Sequence, residues 1–230
     1  MIYPNSFAKL FEKPYRHRHI LLVIKLSVLL HVFLSSADVK AVVYALFRDR
    51  ISGKTVCEWS QKFPENIPNK KVKYRKGETV ILFADEKYVW VKGVQAYWWS
   101  VKDHLGNVLA TMITTARDSA SAELLFRRAK AKIIGQVRAV VHDGLKSYDK
   151  PVRKVFGRNC QSIVAGITGK FVMINKCLYW ITNNSAESLN AQIDAYYTRV
   201  HYNFNNIDSA NRFADMFLYR MHLRNACDQV

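Results

Sequence analysis

The sequence predicts an α/β chain in which a small all-α segment precedes a mixed sheet flanked by helices. Three observations predict it. Residues 1–63 carry apolar residues at helical spacing with few breakers. From Thr79 the period drops to two, in "TVILFADEKYVWV", "AYWWSVKD" and "VLATMIT". Beyond these, helical and extended segments alternate.

The first helical stretch is "HILLVIKLSVLLHVFL", residues 19–34. It is short of the roughly 20 apolar residues of a membrane span and carries Lys25 and His31 inside. No small-residue cleavage site follows, so it reads as a buried helix, and no membrane partner is expected. Ser36 is the expected N-cap of a second helix through Arg48, with Val39, Val42, Val43, Leu46 and Phe47 on its inner face. "DRISG" turns the chain, and residues 55–63 form a third, short helix with Val56 and Trp59 inward. Helix, short turn, helix is the helix-turn-helix pattern, whose second helix enters the DNA major groove; an ordinary helical hairpin shares it. On the first reading Lys54, Thr55, Glu58, Gln61 and Lys62 face the groove.

Residues 64–78, "PENIPNKKVKYRKGE", hold two prolines and five cations. They read as a basic linker in which Lys70, Lys71, Lys73, Arg75 and Lys76 contact phosphates. The whole chain has 35 Lys and Arg against 18 Asp and Glu, a net of +17, which suits a polyanionic partner. Residues 1–78 hold 15 of those cations and 6 of those acids, so this part is the more charge-dense. Cys57, Cys160, Cys177 and Cys227 form no CxxC pair, as expected of reduced thiols in a cytoplasmic protein.

After the three strands, "SASAELLFRRAKAKI" places Ala122, Leu125, Phe126 and Ala129 on one helical face. "QVRAVVHD" reads as a strand, "LKSYDKPVRKVF" as a helix or helical turn, and "CQSIVAGI" as a strand. Two helices follow, "NNSAESLNAQIDAYYTRVHYNF" and "IDSANRFADMFLYRMHLRN". Three antiparallel strands, helix, strand, helix, strand, helix is the order of an RNase H-like fold. The expected division is a helical DNA-binding domain over 1–63, the linker over 64–78 and the RNase H-like domain over 79–230.

In that order the first strand carries one carboxylate, the fourth strand ends in another, and a late helix brings a third. Asp85, Asp143 and Glu187 occupy those places. Side chains alternate along a strand, so Asp85 and Glu86 are expected on opposite faces, with only one reaching a shared site. Carboxylates gathered at one point repel unless divalent cations neutralise them, and magnesium prefers oxygen ligands. The Asp143-Gly144 pair also has a plain explanation as a turn. His142 reads as a strand-end polar residue, Trp90, Trp98 and Trp99 as sheet packing, and Asn183 and Asn190 as neighbours on the flank of Glu187.

"FADEKYVWVKG", "YWWSVKDHLGNVL", "TTARDSASAELLFRRA", "HDGLKSY" and "NNSAESLN", in this order, resemble the DDE transposases of prokaryotic insertion sequences, in the branch typified by insertion sequence six. "LSSADV" and "ISGKTVCEWSQKF" are similar to that family's N-terminal DNA-binding region. The resemblance implies a transposase that cuts double-stranded DNA at transposon terminal repeats and joins the 3′-hydroxyls to target DNA. It implies Asp85, Asp143 and Glu187 as catalytic residues and metal ligands, with two magnesium ions or manganese in their place. It implies a homodimer or larger assembly on DNA, in the nucleoid-bearing cytoplasm of a prokaryote. Two departures stand out: 44 positions separate Asp143 from Glu187, more than is usual in the family, and Asp194 stands where relatives often carry a basic residue. Two other functions fit the same residues, an inert helix-turn-helix DNA-binding protein and an RNase H-like nuclease without strand joining.

Overall fold

The change of period at Thr79 has a counterpart in the structure, a computed structural model that describes residues 13, 18–62, 71–75, 77–200 and 204–227. The chain divides into two units, residues 1–67 and 68–230.

In the first unit, α1 spans Leu21–His31, α2 Ser36–Phe47 and α3 Gly53–Lys62. Their common core is Val23, Val28, Val39, Val43, Ile51, Val56 and Trp59. The cap of α2 is one residue earlier than expected: Ser35, not Ser36, accepts from the Asp38 backbone N–H at 3.2 Å. Leu46 does not join the inner face and is 64% exposed. The helical stripe runs through Val39 and Val43, and α2 ends at Phe47, where Arg48 takes a left-handed conformation. Ser52 receives the Thr55 backbone N–H at 3.0 Å and so starts α3. A buried His31 to Ser60 hydrogen bond of 2.8 Å ties α1 to α3. No described helix is long and apolar enough to cross a membrane.

The second unit begins inside the expected linker. β1, Val72–Lys73, pairs in parallel with β5, Ile133–Ile134. Tyr74 is buried, and its hydroxyl donates to Asp103 Oδ2 at 2.7 Å. The linker reading is therefore corrected over residues 71–75: Val72 and Tyr74 alternate inward while Lys71, Lys73 and Arg75 stay exposed.

The central sheet is built from β2 (Val80–Val91), β3 (Val94–Asp103), β4 (Val108–Thr114), β6 (Val137–His142) and β7 (Gln161–Val164). Its order is β4-β3-β2-β6-β7, with the first three antiparallel and β6 and β7 added in parallel. This is the RNase H-like order. α4, Ser119–Ala131, and α5, Asp149–Phe156, cover one face, where Leu125, Phe126 and Val152 pack with Leu82, Trp99 and Leu109. α6, Asn184–Val200, and α7, Ile207–Cys227, cover the other, where Leu189, Ile193, Phe213 and Phe217 pack with Val89, Ala96 and Trp98.

One element was not expected. β8, Lys170–Ile174, and β9, Cys177–Ile181, form a hairpin between β7 and α6. It lies in the stretch that lengthens the Asp143–Glu187 interval. Phe171 pairs with Trp180 and Met173 with Leu178 across the ladder, and all four side chains are exposed.

Candidate active site

β2 is twelve residues long and β6 only six, and their ladder ends at the pair Phe83–Val141. Asp85 and Asp143 each lie two residues beyond that pair. The apolar run of β6 thus delivers Asp143 past the end of its own strand, level with Asp85. Gly144 then turns the chain with a φ of +108°. A Cβ there would meet Val164 Cγ1 at 3.2 Å, which disfavours any other residue. The Leu145 backbone N–H donates to Asp143 Oδ1 at 3.0 Å, so the aspartate is a turn former and a site residue at once.

One oxygen each from Asp85, Glu86 and Asp143 lie within 4.8 Å of one another. This corrects the expectation that Asp85 and Glu86 face apart and cannot share a site. Beyond Phe83 the β6 side of β2 has no ladder partner, so side chains from both faces can bend round that edge. Asp85 folds back along its own strand, accepting the Glu86 backbone N–H at 3.0 Å. Glu86 accepts from the Tyr148 hydroxyl at 2.6 Å and from the Arg117 guanidinium. Burial, then the Glu86 and Asp143 charges, raise the Asp85 carboxyl to about 7. Burial also raises Glu86, against the lowering pull of Tyr148 and Arg117.

Asp85 and Asp143 come together with Glu86 as the third member of this tight cluster; Glu187, expected beside them, is exposed and is not among the three within 4.8 Å. Glu187 sits in the first turn of α6, and one turn later Asn190 Nδ2 donates to Asp85 Oδ2 at 2.8 Å. Asp194, a further turn along, takes an ion pair from Lys87 of β2. The basic residue expected on the helix at that place is thus replaced by an acid with a lysine facing it from the sheet.

Asp85 has another polar neighbour in Ser100, directly opposite on β3. Ser100 Oγ and Asn190 Oδ1 are buried and receive no hydrogen bond, as is Asn183 Oδ1 just before α6. Carboxylate oxygens with the spare neutral oxygens of Ser100 and Asn190 next to Asp85 fit a hard divalent cation such as magnesium or manganese.

The surroundings separate site from scaffold. Asp103 is fully buried and holds the β3–β4 turn, accepting from the Leu105 and Asn107 backbone N–H groups at 2.9 and 2.7 Å, and takes no part in the cluster. His142 is buried, bonds Ser162 Oγ at 2.8 Å, and is held below its ordinary value by burial. Trp98 and Trp99 are sheet packing as expected, but Trp90 is 60% exposed. Tyr148 and Arg117 are residues that sequence reasoning passed over, whereas Glu86 was weighed against Asp85. The tyrosine five residues after Asp143 in "HDGLKSY" was the available signal.

In the first unit, Lys54, Glu58 and Lys62 are exposed and Thr55 and Gln61 half-buried, while Val56 and Trp59 are buried. Lys54 lies 3.9 Å from Glu58. Lys70 and Lys76 lie outside the described residues.

No curated protein matches the chain. A chain of the simian T-cell lymphotropic virus intasome, in complex with PP2A regulatory subunit B56 gamma, is 10% identical with a TM-score of 0.39; the match covers 83% of this chain and 66% of that one. Endonuclease V of Bacillus subtilis is also 10% identical, with a TM-score of 0.24, over 79% of this chain and 95% of that one. The present chain thus spans just under two thirds of the intasome chain it matches. A family model described as a DDE domain matches residues 80–222, taking in every strand of the central sheet and all three of Asp85, Asp143 and Glu187. With more than half its length inside that match, the chain belongs to the DDE-domain family of IS6-type transposases.

Proposed function

We propose that the protein is a transposase that binds the terminal repeats of a mobile element, cleaves DNA there and joins the freed 3′-hydroxyls to target DNA. The observation that carries this reading is the meeting of Asp85 and Asp143 past the end of the β2–β6 ladder, with Glu86 beside them. Asp85 and Asp143 are the catalytic and metal-binding carboxylates. Glu187 completes the set from the first turn of α6, the helix that Asn190 already ties to Asp85. Two magnesium ions, or manganese, supply activation of the attacking oxygen and neutralisation of charge on the leaving one. In cleavage, a water oxygen bonds to phosphorus as the bond to the 3′-oxygen breaks, leaving a 3′-hydroxyl and a 5′-phosphate. In joining, that 3′-hydroxyl attacks a target phosphate and displaces another 3′-oxygen. Both are in-line displacements on one geometry.

DNA is held first by the N-terminal unit. α3 lies in the major groove through Lys54, Thr55, Glu58, Gln61 and Lys62, with Lys70, Lys71, Lys73, Arg75 and Lys76 on phosphates. Two ends must be held together, which calls for a homodimer or larger assembly on DNA. The test is incubation of the full chain with labelled terminal-repeat DNA and magnesium. Nicked and joined products are expected. Nicking without joining makes the protein a nuclease, and binding without either makes it a DNA-binding protein alone.

A further inference from the structure

Outside the acidic cluster, a groove of about 800 Å³ lies between α5 and the edge strand β7. Lys150, Arg153, Lys154 and Arg158 line it together with Gln161 and Ser162, and no carboxylate among the described residues does. The placement follows from the helix. Lys150, Arg153 and Lys154 are spaced at i, i+3 and i+4 and so share one face of α5, while Pro151, Val152 and Val155 are buried on the other. Arg158 extends the row past the helix end. Lys154 reaches Glu123 of α4 at 2.8 Å. Lys150, Arg153 and Arg158 make no ion pair with any described carboxylate. A solvated helix face usually intersperses both signs of charge; this one sets four cations along a concave surface, with a single acid, Asp149, at its rim and engaged by Ser162.

Its position relative to the acidic cluster gives it a role. Ser162 is the register partner of Val140, three residues before Asp143. At ~3.3 Å per residue along β6 and ~4.8 Å across to β7, the rim of the groove lies ~11 Å from Asp143. That is about three base pairs of rise along a DNA axis. Ser162 also donates to Asp149 at 2.7 Å and bonds His142 at 2.8 Å, so the rim is fastened to the start of α5 and to the residue before Asp143.

We propose that this groove is a second DNA-contact track, which grips the sugar–phosphate backbone of duplex DNA about three base pairs from the phosphate under attack. The proposal rests on the transposase reading above and assigns the contact to the sheet-bearing unit rather than to the N-terminal helices. The recognition is of phosphate charge, independent of base sequence. Lys150, Arg153 and Arg158 supply the contacts, and Lys154 remains engaged with Glu123.

The test is the salt dependence of binding by the full chain to a short duplex of arbitrary sequence. Each phosphate contact contributes ~0.9 to the slope of log affinity against log salt. The triple variant Lys150→Gln, Arg153→Gln, Arg158→Gln is expected to lower that slope by about 2–3, with an unchanged melting temperature because all three side chains are exposed. Arg153→Gln alone should lower it by about 1, and Arg153→Lys should retain it, which separates charge from shape. An unchanged slope in the triple variant overturns the proposal and leaves the transposase reading standing. A lowered slope in a chain that cleaves no DNA overturns the transposase reading and leaves the groove standing as a DNA contact.

Discussion

Asp85 and Asp143 stand at the same level of two adjacent parallel strands, each two residues past the last paired couple, Phe83 and Val141. The two carboxylates meet because β6 stops and β2 continues. The site is thus a property of unequal strand lengths, and its electrostatics follow: acids crowded at a strand end, one of them buried.

The first prediction is a pH dependence of stability in the metal-free chain. An unfolded aspartate releases its proton near pH 4, about 3.9, whereas folded Asp85 holds its proton up to about 7. Between these values the unfolded chain binds fewer protons than the folded one, so stability falls as pH rises through that window, and is level on either side. Asp85→Asn should lessen this slope, leaving the part due to Glu86, whose carboxyl burial also raises, and melt higher than wild type at pH 8. Thermal melts in chelator across the window check it, and an undiminished slope in the variant contradicts it.

Asp143→Asn should abolish magnesium-dependent cleavage, leave DNA binding intact and leave the metal-free fold as stable or more so, because repulsion with Asp85 is relieved. Chelation should have the same effect on wild type. Glu187→Gln should also eliminate cleavage; full activity in that variant would assign the third carboxylate role to Glu86.

The Tyr148 hydroxyl donates to a nearly buried Glu86 carboxylate. Tyr148→Phe should cost about 1–3 kcal/mol by leaving that acceptor short of a partner. Denaturant midpoints measure it, and a loss of cleavage beyond the loss of folded protein would show that Glu86 acts at the site.

In the N-terminal unit, Trp59→Ala should unfold the three helices, since removal of a large buried ring costs about 3–5 kcal/mol. Glu58→Ala and Gln61→Ala should stay folded and relax sequence preference. Equal damage from all three changes, read by circular dichroism and by competition between duplexes, would show that α3 does not present the face assigned to it.

A fragment starting at residue 68 should be more stable than one starting at 79. The shorter one loses the β1–β5 pair and the Tyr74 hydrogen bond to buried Asp103, which keeps Asn107 Nδ2 as a donor, so that bond alone contributes about 1 kcal/mol. Equal melting temperatures would return residues 71–75 to the linker.

The meander, the helices and the position of Asp143 were legible because each rests on periodicity or on a polar residue closing an apolar run. The β8–β9 hairpin was not. Its turn is Asn175-Lys176, both with positive φ, 50° and 66°. Such turns are ordinarily announced by glycine at the second position, and here lysine occupies it. Glu86 was set aside on strand alternation, which fixes where its Cβ points but not where a longer carboxylate ends up once the edge of β2 lies open beyond β6. Asn190 was placed near Glu187 by helix spacing, but its bond to Asp85 depends on how α6 seats on the sheet, which no local pattern encodes.

The bond between Asp85 and Asn190 joins residues 105 positions apart. On a ribosome adding about 5–20 residues per second, that interval takes roughly 5–20 s. The N-terminal helices leave the ribosome whole well before it ends. Through that time a nascent chain holds its three N-terminal helices and half an acidic cluster. On the transposase reading proposed above, the helices meet DNA before the site that would cut it is complete.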